Sequence, residues 1–194
     1  MVYANKVIII LGGINMSNKL AEVSKSTILF SKVKEGAIIP SKRDEDGGYD
    51  LYSCFDEDCI VIYPHDTHLI PTGIATAFSK DWVAIIKERG STGSRNITVH
   101  CGVIDSGFRN QWFVCLGNDN SYPIIISKKD AQCEQLVEHY NEEYGGCLVY
   151  PYEKAIAQFI MVSVPQLNAV EIPYNQLLTF TSERGMGALG SSQK

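Results

Sequence analysis

No two of the six cysteines, Cys54, Cys59, Cys101, Cys115, Cys133 and Cys147, are spaced Cys-x-x-Cys. Zinc ribbons and thioredoxin-like redox sites need that spacing, so neither is expected. A chain of 194 residues has no need of disulfide staples. The thiols are therefore read as reduced, in a cytoplasmic protein. An excess of positive charge is also missing: 17 Lys and Arg stand against 22 Asp and Glu, a formal net charge of −5. General nucleic-acid coating needs a basic face and is excluded. A small anion held by a few local arginines is not. Long apolar runs are absent too. VIIILGGI, residues 7–14, is too short to span a bilayer, and no small-x-small cleavage site follows it. Residues 1–26 are read as an N-terminal extension. It holds either an extra strand or a translated leader ahead of a start at Met16. There is no internal repeat, no low-complexity tract and no Walker A spacing.

What the chain does have is short β-rich runs: TILFSKV (27–33), CIVIYP (59–64), GIATAF (73–78), WVAIIKE (82–88), NITVH (96–100), QWFVCLG (111–117), YPIIISK (122–128) and AIAQFIMVSV (155–164). β-Branched and aromatic residues fill them, and Gly, Pro, Asn and Asp separate them at short intervals, which points to an all-β sandwich or barrel. One segment differs. In DAQCEQLVEHYNEEYGG (130–146), Cys133, Leu136, Val137, Tyr140 and Tyr144 recur at spacings of three and four, the stripe of an amphipathic helix. Asp130 can cap its start and Gly145 can end it. A helix packed on the sheet explains it; an inserted docking surface for a protein partner is the sharper alternative.

Five islands can carry chemistry. In GGYDLYS (47–53), Asp50 sits between apolar neighbours, where an acid tends to be hydrogen-bonded or near a metal. KERGSTGS (87–94) puts Arg89 before Gly90, Ser91 and Thr92, a loop able to cradle phosphate oxygens. In HCGVIDSGFRN (100–110), Asp105 stands at a hairpin tip, where a desolvated carboxylate can act as general base on water. In EKAIAQF (153–159), Gln158 is a lone amide in an apolar strand. The fifth is the glycine- and serine-rich tail SERGMGALGSSQK (182–194) with Arg184. Taken singly, each is as well explained by a turn, a polar loop, a backbone-bonded amide or a frayed end.

Their joint order resembles the five motifs of the trimeric deoxyuridine triphosphatases (dUTPases). GYDLYS, RGSTG, GVIDSGFR, AIAQ and SERGMGALGSS follow one another across residues 47–192. The resemblance implies a jelly-roll-like barrel over residues 27–181, with a helical insertion near 130–144 inside the stretch 128–150, as in some phage-encoded members. Residues 182–194 become a flexible lid. It further implies a homotrimer with active sites at subunit interfaces, and hydrolysis of dUTP to dUMP and pyrophosphate with Mg²⁺. By the same resemblance, Asp105 activates the attacking water and Asp50 supports the Mg²⁺, through water. Gly102, Val103, Ile104 and Phe108 belong to the hairpin that reads deoxyuridine. Arg89, Gly90, Ser91 and Thr92 hold phosphates, Gln158 contacts the phosphates or the water, and Arg184, Gly187, Leu189, Gly190, Ser191 and Ser192 close over them.

The pattern has departures. Phe108 stands for a tyrosine, Leu189 for the phenylalanine that stacks on uracil, and Ala155 for an arginine, with Lys154 beside it as a substitute. RGST replaces Arg-Ser-Gly. Two other functions stay open: dCTP deaminase, which shares the fold and a Gly-x-Ile-Asp-x-Gly-Phe hairpin, and a nucleotide-sensing regulatory protein using the inserted helix.

Overall fold

Each of the eight β-rich runs forms a strand, and four further strands bring the total among the described residues to twelve. The structure, a computed structural model, describes residues 22–100, 102–128 and 130–187. The expectations for the first 21 residues, and the sites at Leu189, Gly190, Ser191 and Ser192, lie outside the described residues. The chain divides into two compact units at Val164/Pro165.

In the first unit, β1 (Ile28–Lys32) pairs antiparallel with β5 (Ile74–Phe78). β4 (Thr67–Pro71), β9 (Phe113–Asn118) and β7 (Ile97–His100) make a second sheet. A third runs β11 (Leu148–Pro151), β10 (Ile124–Ser127), β3 (Cys59–Ile62). The fourth runs β2 (Tyr49–Leu51), β12 (Ala157–Ser163), β6 (Trp82–Lys87), β8 (Val103–Ile104). This is the expected mostly-β, jelly-roll architecture. The strands close on one core in which Trp112, Leu51, Ile62, Ile70, Ile74, Ile97, Ile124 and Phe159 are fully buried. Phe159 stacks on Tyr49 at 5.0 Å between ring centres and meets Trp112 edge-on at 5.1 Å. Such aromatic pairs add to the area they bury.

The run RGSTGS contains a single helical turn, α1 (Gly90–Gly93), rather than an open loop. Two strands have little sequence signal. β4 (THLIP) exposes three of its five residues and carries His and Pro. β11 (LVYP) begins inside the stretch 128–150 expected as insertion and ends one residue beyond it. It pairs parallel to β10, with Ile124 opposite Leu148 and Ser127 opposite Pro151. Parallel neighbours need a crossover, and the helix α2 (Asp130–Tyr144) is that crossover. Gly145, at φ 72°, follows its last residue.

Leu136, Val137, Tyr140 and Tyr144 pack with Cys59, Val61, Ile125, Cys147 and Val149 in a second apolar cluster on this sheet. The Tyr140 and Tyr63 hydroxyls lie 3.3 Å apart, and burial followed by this contact pushes the Tyr140 phenol well above the ordinary tyrosine value. Cys54, Cys59, Cys115 and Cys147 are unbridged. Among the described residues no helix is long and apolar enough to cross a membrane.

The second unit, described over residues 165–187, holds one short helix, α3 (Tyr174–Leu177). Leu167, Val170, Tyr174 and Phe180 are exposed along it.

A raised folded-state pKa gives stability that is complete below the unfolded value and lost as pH rises through it. Thermal unfolding should therefore show stability falling above about pH 10. Tyr140→Phe should flatten that alkaline limb, at a cost of about 1 kcal/mol near neutrality for the lost hydroxyl contact. An unchanged limb would place the ionisation elsewhere.

Candidate active site

Strand register sets the centre of the site. β12 pairs antiparallel with β2, so that Gln158 stands opposite Asp50, Phe159 opposite Tyr49 and Ala157 opposite Leu51. Side chains alternate across a strand. Leu51, Ala157 and Phe159 go into the core, and Asp50 and Gln158 share the outer face as direct neighbours. On its other side β12 pairs with β6, with Gln158 opposite Lys87. The chain then leaves β6 through Glu88 into Arg89.

Arg89 is fixed by two charge-assisted contacts. Its Nε donates to Asp50 Oδ1 at 2.9 Å and its Nη2 to Asp50 Oδ2 at 3.3 Å. This fork geometry matches a carboxylate. Nη1 donates to the Ala155 carbonyl at 3.3 Å and reaches Ser91 Oγ at 3.4 Å. Gln158 is aimed by its own donor: Nε2 donates to the Glu88 carbonyl at 2.8 Å. Its Oε1 faces Gly48, where any Cβ would sit only 2.7 Å away. Glu88 in turn accepts the Val99 amide at 2.9 Å. Burial would push the Glu88 carboxyl up, yet this amide, its own backbone amide and Lys87 together hold it below the usual carboxylate range.

These residues border an open cavity of about 840 Å³, lined by Asp50, Arg89, Gly90, Ser91 and Gln158 together with the segment 41–48. Of the expected phosphate loop, Ser91 and Thr92 have different fates. Ser91 lines the cavity. Thr92 is 1% exposed, and its hydroxyl closes the α1 turn, accepting from Arg89 N at 3.0 Å and donating to Arg89 O at 3.1 Å. Lys154 is exposed and does not line the cavity. Ala155 is buried and contributes its carbonyl, which also accepts from Tyr150 Oη at 2.7 Å.

The hairpin residues lie elsewhere. β8 pairs with β6 so that Ile104 stands opposite Ala84 and Val103 opposite Ile85. Asp105 is thus carried to the level of Val83, four residues from Lys87, roughly 13 Å along the strand. Gly102, Val103, Ile104, Asp105 and Phe108 take no part in lining the cavity. Val103 is 64% and Phe108 40% exposed, an apolar pair on an outer edge beside an exposed Asp105. Gly102 is required where it sits. Its carbonyl accepts the Ile86 amide at 2.7 Å, and a Cβ there would overlap the Ile86 carbonyl oxygen. In the second unit Arg184 and Gly187 form a small turn, with Arg184 Nε donating to the Gly187 carbonyl at 3.1 Å.

The charged segment Ser41–Asp46 escaped the sequence reading as a site element. Its signal was a run of both signs, SKRDED, directly before the Gly-Gly bend. Asp50 N donates to the Ser41 carbonyl at 3.1 Å, which folds this run back over the cavity.

A family model described as dUTPase matches residues 34–146, more than half of the chain. The chain belongs to the dUTPase family. It is 36% identical over 105 residues to a deoxyuridine 5′-triphosphate nucleotidohydrolase of Mycolicibacterium gilvum, which covers 52% of this chain and 66% of that protein. With the enzyme of the same name from Mycobacterium marinum it shares 34% over 128 residues, 63% of this chain and 76% of the relative. Among solved structures, the Staphylococcus bacteriophage 80alpha dUTPase with dUPNHPP superposes with a TM-score of 0.60. It covers 86% of this chain and 98% of its own, at 19% identity, a likeness of fold. The dUTPase match ends at Gly146, so the islands holding Gln158 and Arg184 stand on this chain's own residues.

No cluster of three or more His, Cys, Asp or Glu side chains converges on one point among the described residues. The donor set here is a few cavity carboxylates, Asp50 chief among them, beside the Arg89 guanidinium. Such a set suits Mg²⁺, which keeps several waters and binds through substrate phosphates with one or two carboxylates.

Gly102→Ala should displace the hairpin while leaving the cavity wall intact. The expected outcome is a loss of nucleotide turnover on the order of 100-fold, as follows from misplacing a reacting group by about 1 Å. The far-UV circular dichroism should not change. Full turnover would mean the hairpin tolerates the clash and is not part of the site.

Proposed function

We propose that the chain hydrolyses dUTP to dUMP and pyrophosphate, limiting uracil in DNA and supplying dUMP for thymidylate synthesis. The carrying observation is the register that sets Asp50 beside Gln158 and locks Arg89 onto Asp50, in a member of the dUTPase family.

In this reading Arg89, Ser91 and the Gly90 backbone hold phosphate oxygens, and Gln158 offers its remaining amide N–H to a phosphate oxygen or its carbonyl oxygen to the attacking water. Thr92 supports Arg89 from beneath. Mg²⁺, when bound, neutralises phosphate charge, with Asp50 holding one of its waters. Asp105 takes the proton from the water that attacks the α-phosphorus. The backbone of Gly102–Ile104 pairs with the uracil edge, a readout that rejects cytosine because its donor and acceptor are exchanged. Phe108 lies against the deoxyribose.

Asp105 and the cavity of the same copy are too far apart to act on one phosphate. That separation supports an active site shared between copies in a homotrimer. One subunit supplies the cavity, and another supplies the hairpin with its exposed Val103 and Phe108. Residues 182–194 act as a lid, with Arg184 as its anion-binding anchor. The unbridged thiols fit a cytoplasmic setting.

Four experiments test this. Product analysis with Mg²⁺ and dUTP, dCTP, dTTP or UTP should give pyrophosphate and dUMP from dUTP alone. Ammonia from dCTP would replace the triphosphatase with a deaminase. Asp105→Asn should lower turnover about 10²- to 10⁴-fold with little change in nucleotide affinity. Arg89→Ala should be inactive too, yet refolding the two variants together should recover activity, since mixed trimers contain sites with one native hairpin and one native cavity. No recovery would overturn the shared site. Truncation after Thr181 should abolish most turnover without lowering the melting temperature; a truncated protein at full activity would remove the lid from the mechanism.

A further inference from the structure

The cavity wall carries three basic side chains, Lys42, Arg43 and Arg89, and three acidic ones, Glu45, Asp46 and Asp50. Two of the three cations are already matched. Arg89 is held by Asp50, as above. Arg43 Nε donates to Asp46 Oδ2 at 2.8 Å and its Nη2 to Asp46 Oδ1 at 2.9 Å, and its backbone amide donates to Oδ2 at 3.2 Å. Asp46 N closes the loop by donating to the Arg43 carbonyl at 3.1 Å. The Arg43 side chain holds the Asp46 carboxyl below the usual range, so this staple is charged at neutral pH.

Lys42 is different. Its Nζ donates to the Arg43 carbonyl at 3.3 Å and stands 5.6 Å from the centre of the Tyr49 ring. It enters no ion pair with a described carboxylate. An ammonium has three donors, and one is used. The loop that carries it is tied at both ends, by the Arg43–Asp46 staple and by Asp50 N on the Ser41 carbonyl. The cavity is also far larger than the single phosphoryl group that Arg89 and Ser91 can hold.

We propose that Lys42 is a further substrate-binding residue, contacting the β- or γ-phosphate of the bound nucleotide, and that the Arg43–Asp46 staple positions it. This rests on the dUTP reading above. The physical reason is charge balance. Without Lys42 the remaining wall has more carboxylates than cations, and a polyphosphate entering it meets a net negative surface. With Lys42 it meets one more cation, which is in no ion pair with a described carboxylate. Lysine is a point-charge phosphate ligand and needs no fixed fork.

The test is Lys42→Ala. KM for dUTP, and the dissociation constant of non-hydrolysable dUPNHPP measured by calorimetry, should both rise on the order of 10-fold. Turnover at saturation should stay within about twofold, since the contact exists before and during reaction alike. Inhibition by dUMP, which lacks the two terminal phosphates, should stay unchanged. Lys42→Arg should restore most of the affinity. Lys42 is exposed, so melting temperatures should match, and the comparison reads binding and not folding.

Unchanged KM and unchanged dUPNHPP affinity, from a wild-type chain that turns over dUTP, would overturn the role of Lys42 alone. Equal losses for dUMP and dUTP would overturn it as well, since the lysine would then not read the terminal phosphates. A wild-type chain that neither binds nor hydrolyses dUTP would sink this inference together with the reading beneath it.

Discussion

β12 is hydrogen-bonded on both sides, and its register against β2 and β6 is the constraint on which the site depends. A one-residue slip of β12 would turn Gln158 into the core and bring Phe159 out of it. The penalty for that slip is set by the core, where Phe159 is wholly buried against Tyr49, Trp112 and Phe30. The aromatic cluster therefore positions the polar pair without touching any ligand. Arg89 follows from the same register. Because Lys87 lies opposite Gln158, the chain leaves β6 next to Asp50, and the guanidinium closes onto it.

The sheet also explains why the chain's chemical islands do not meet in one copy. β8 lies on the far side of β6 from β12, and its pairing begins at Ile85. The hairpin is thereby pushed toward the opposite end of the strand from the cavity. An exposed apolar pair, an exposed aspartate and a glycine that permits close backbone approach are gathered there. In the proposed homotrimer this is the surface that serves a neighbouring copy.

Much of the architecture was legible along the chain. Runs such as WVAIIKE and AIAQFIMVSV carry β-branched residues between turn signals, and they form β6 and β12 within two residues at either end. The helical stripe of Leu136, Val137, Tyr140 and Tyr144 is a local pattern, and it packs as read. β4 and β11 were not legible. THLIP exposes most of its residues, and LVYP acquires its strand character from a parallel partner more than twenty residues away, across a helix. Their backbone partners are non-local, so no window of the sequence contains the reason for them. The site was legible in part. Asp50, Arg89, Ser91 and Gln158 were singled out along the chain and line one cavity, whereas Lys42, Arg43 and Asp46, which line it too, were passed over.

By itself the sequence determined which chemistry the chain can offer: two carboxylates, two arginines, an amide and hydroxyl-bearing turns in a fixed order, on a strand-rich scaffold. Those follow from residue type and spacing alone. Tertiary structure decided which of them act together. Cross-strand register joined Asp50 to Gln158 over more than a hundred residues, buried Thr92 while leaving Ser91 in the cavity, and separated Asp105 from both. These outcomes depend on hydrogen bonding between strands and on filling one shared core, and neither is a property of any single stretch of chain.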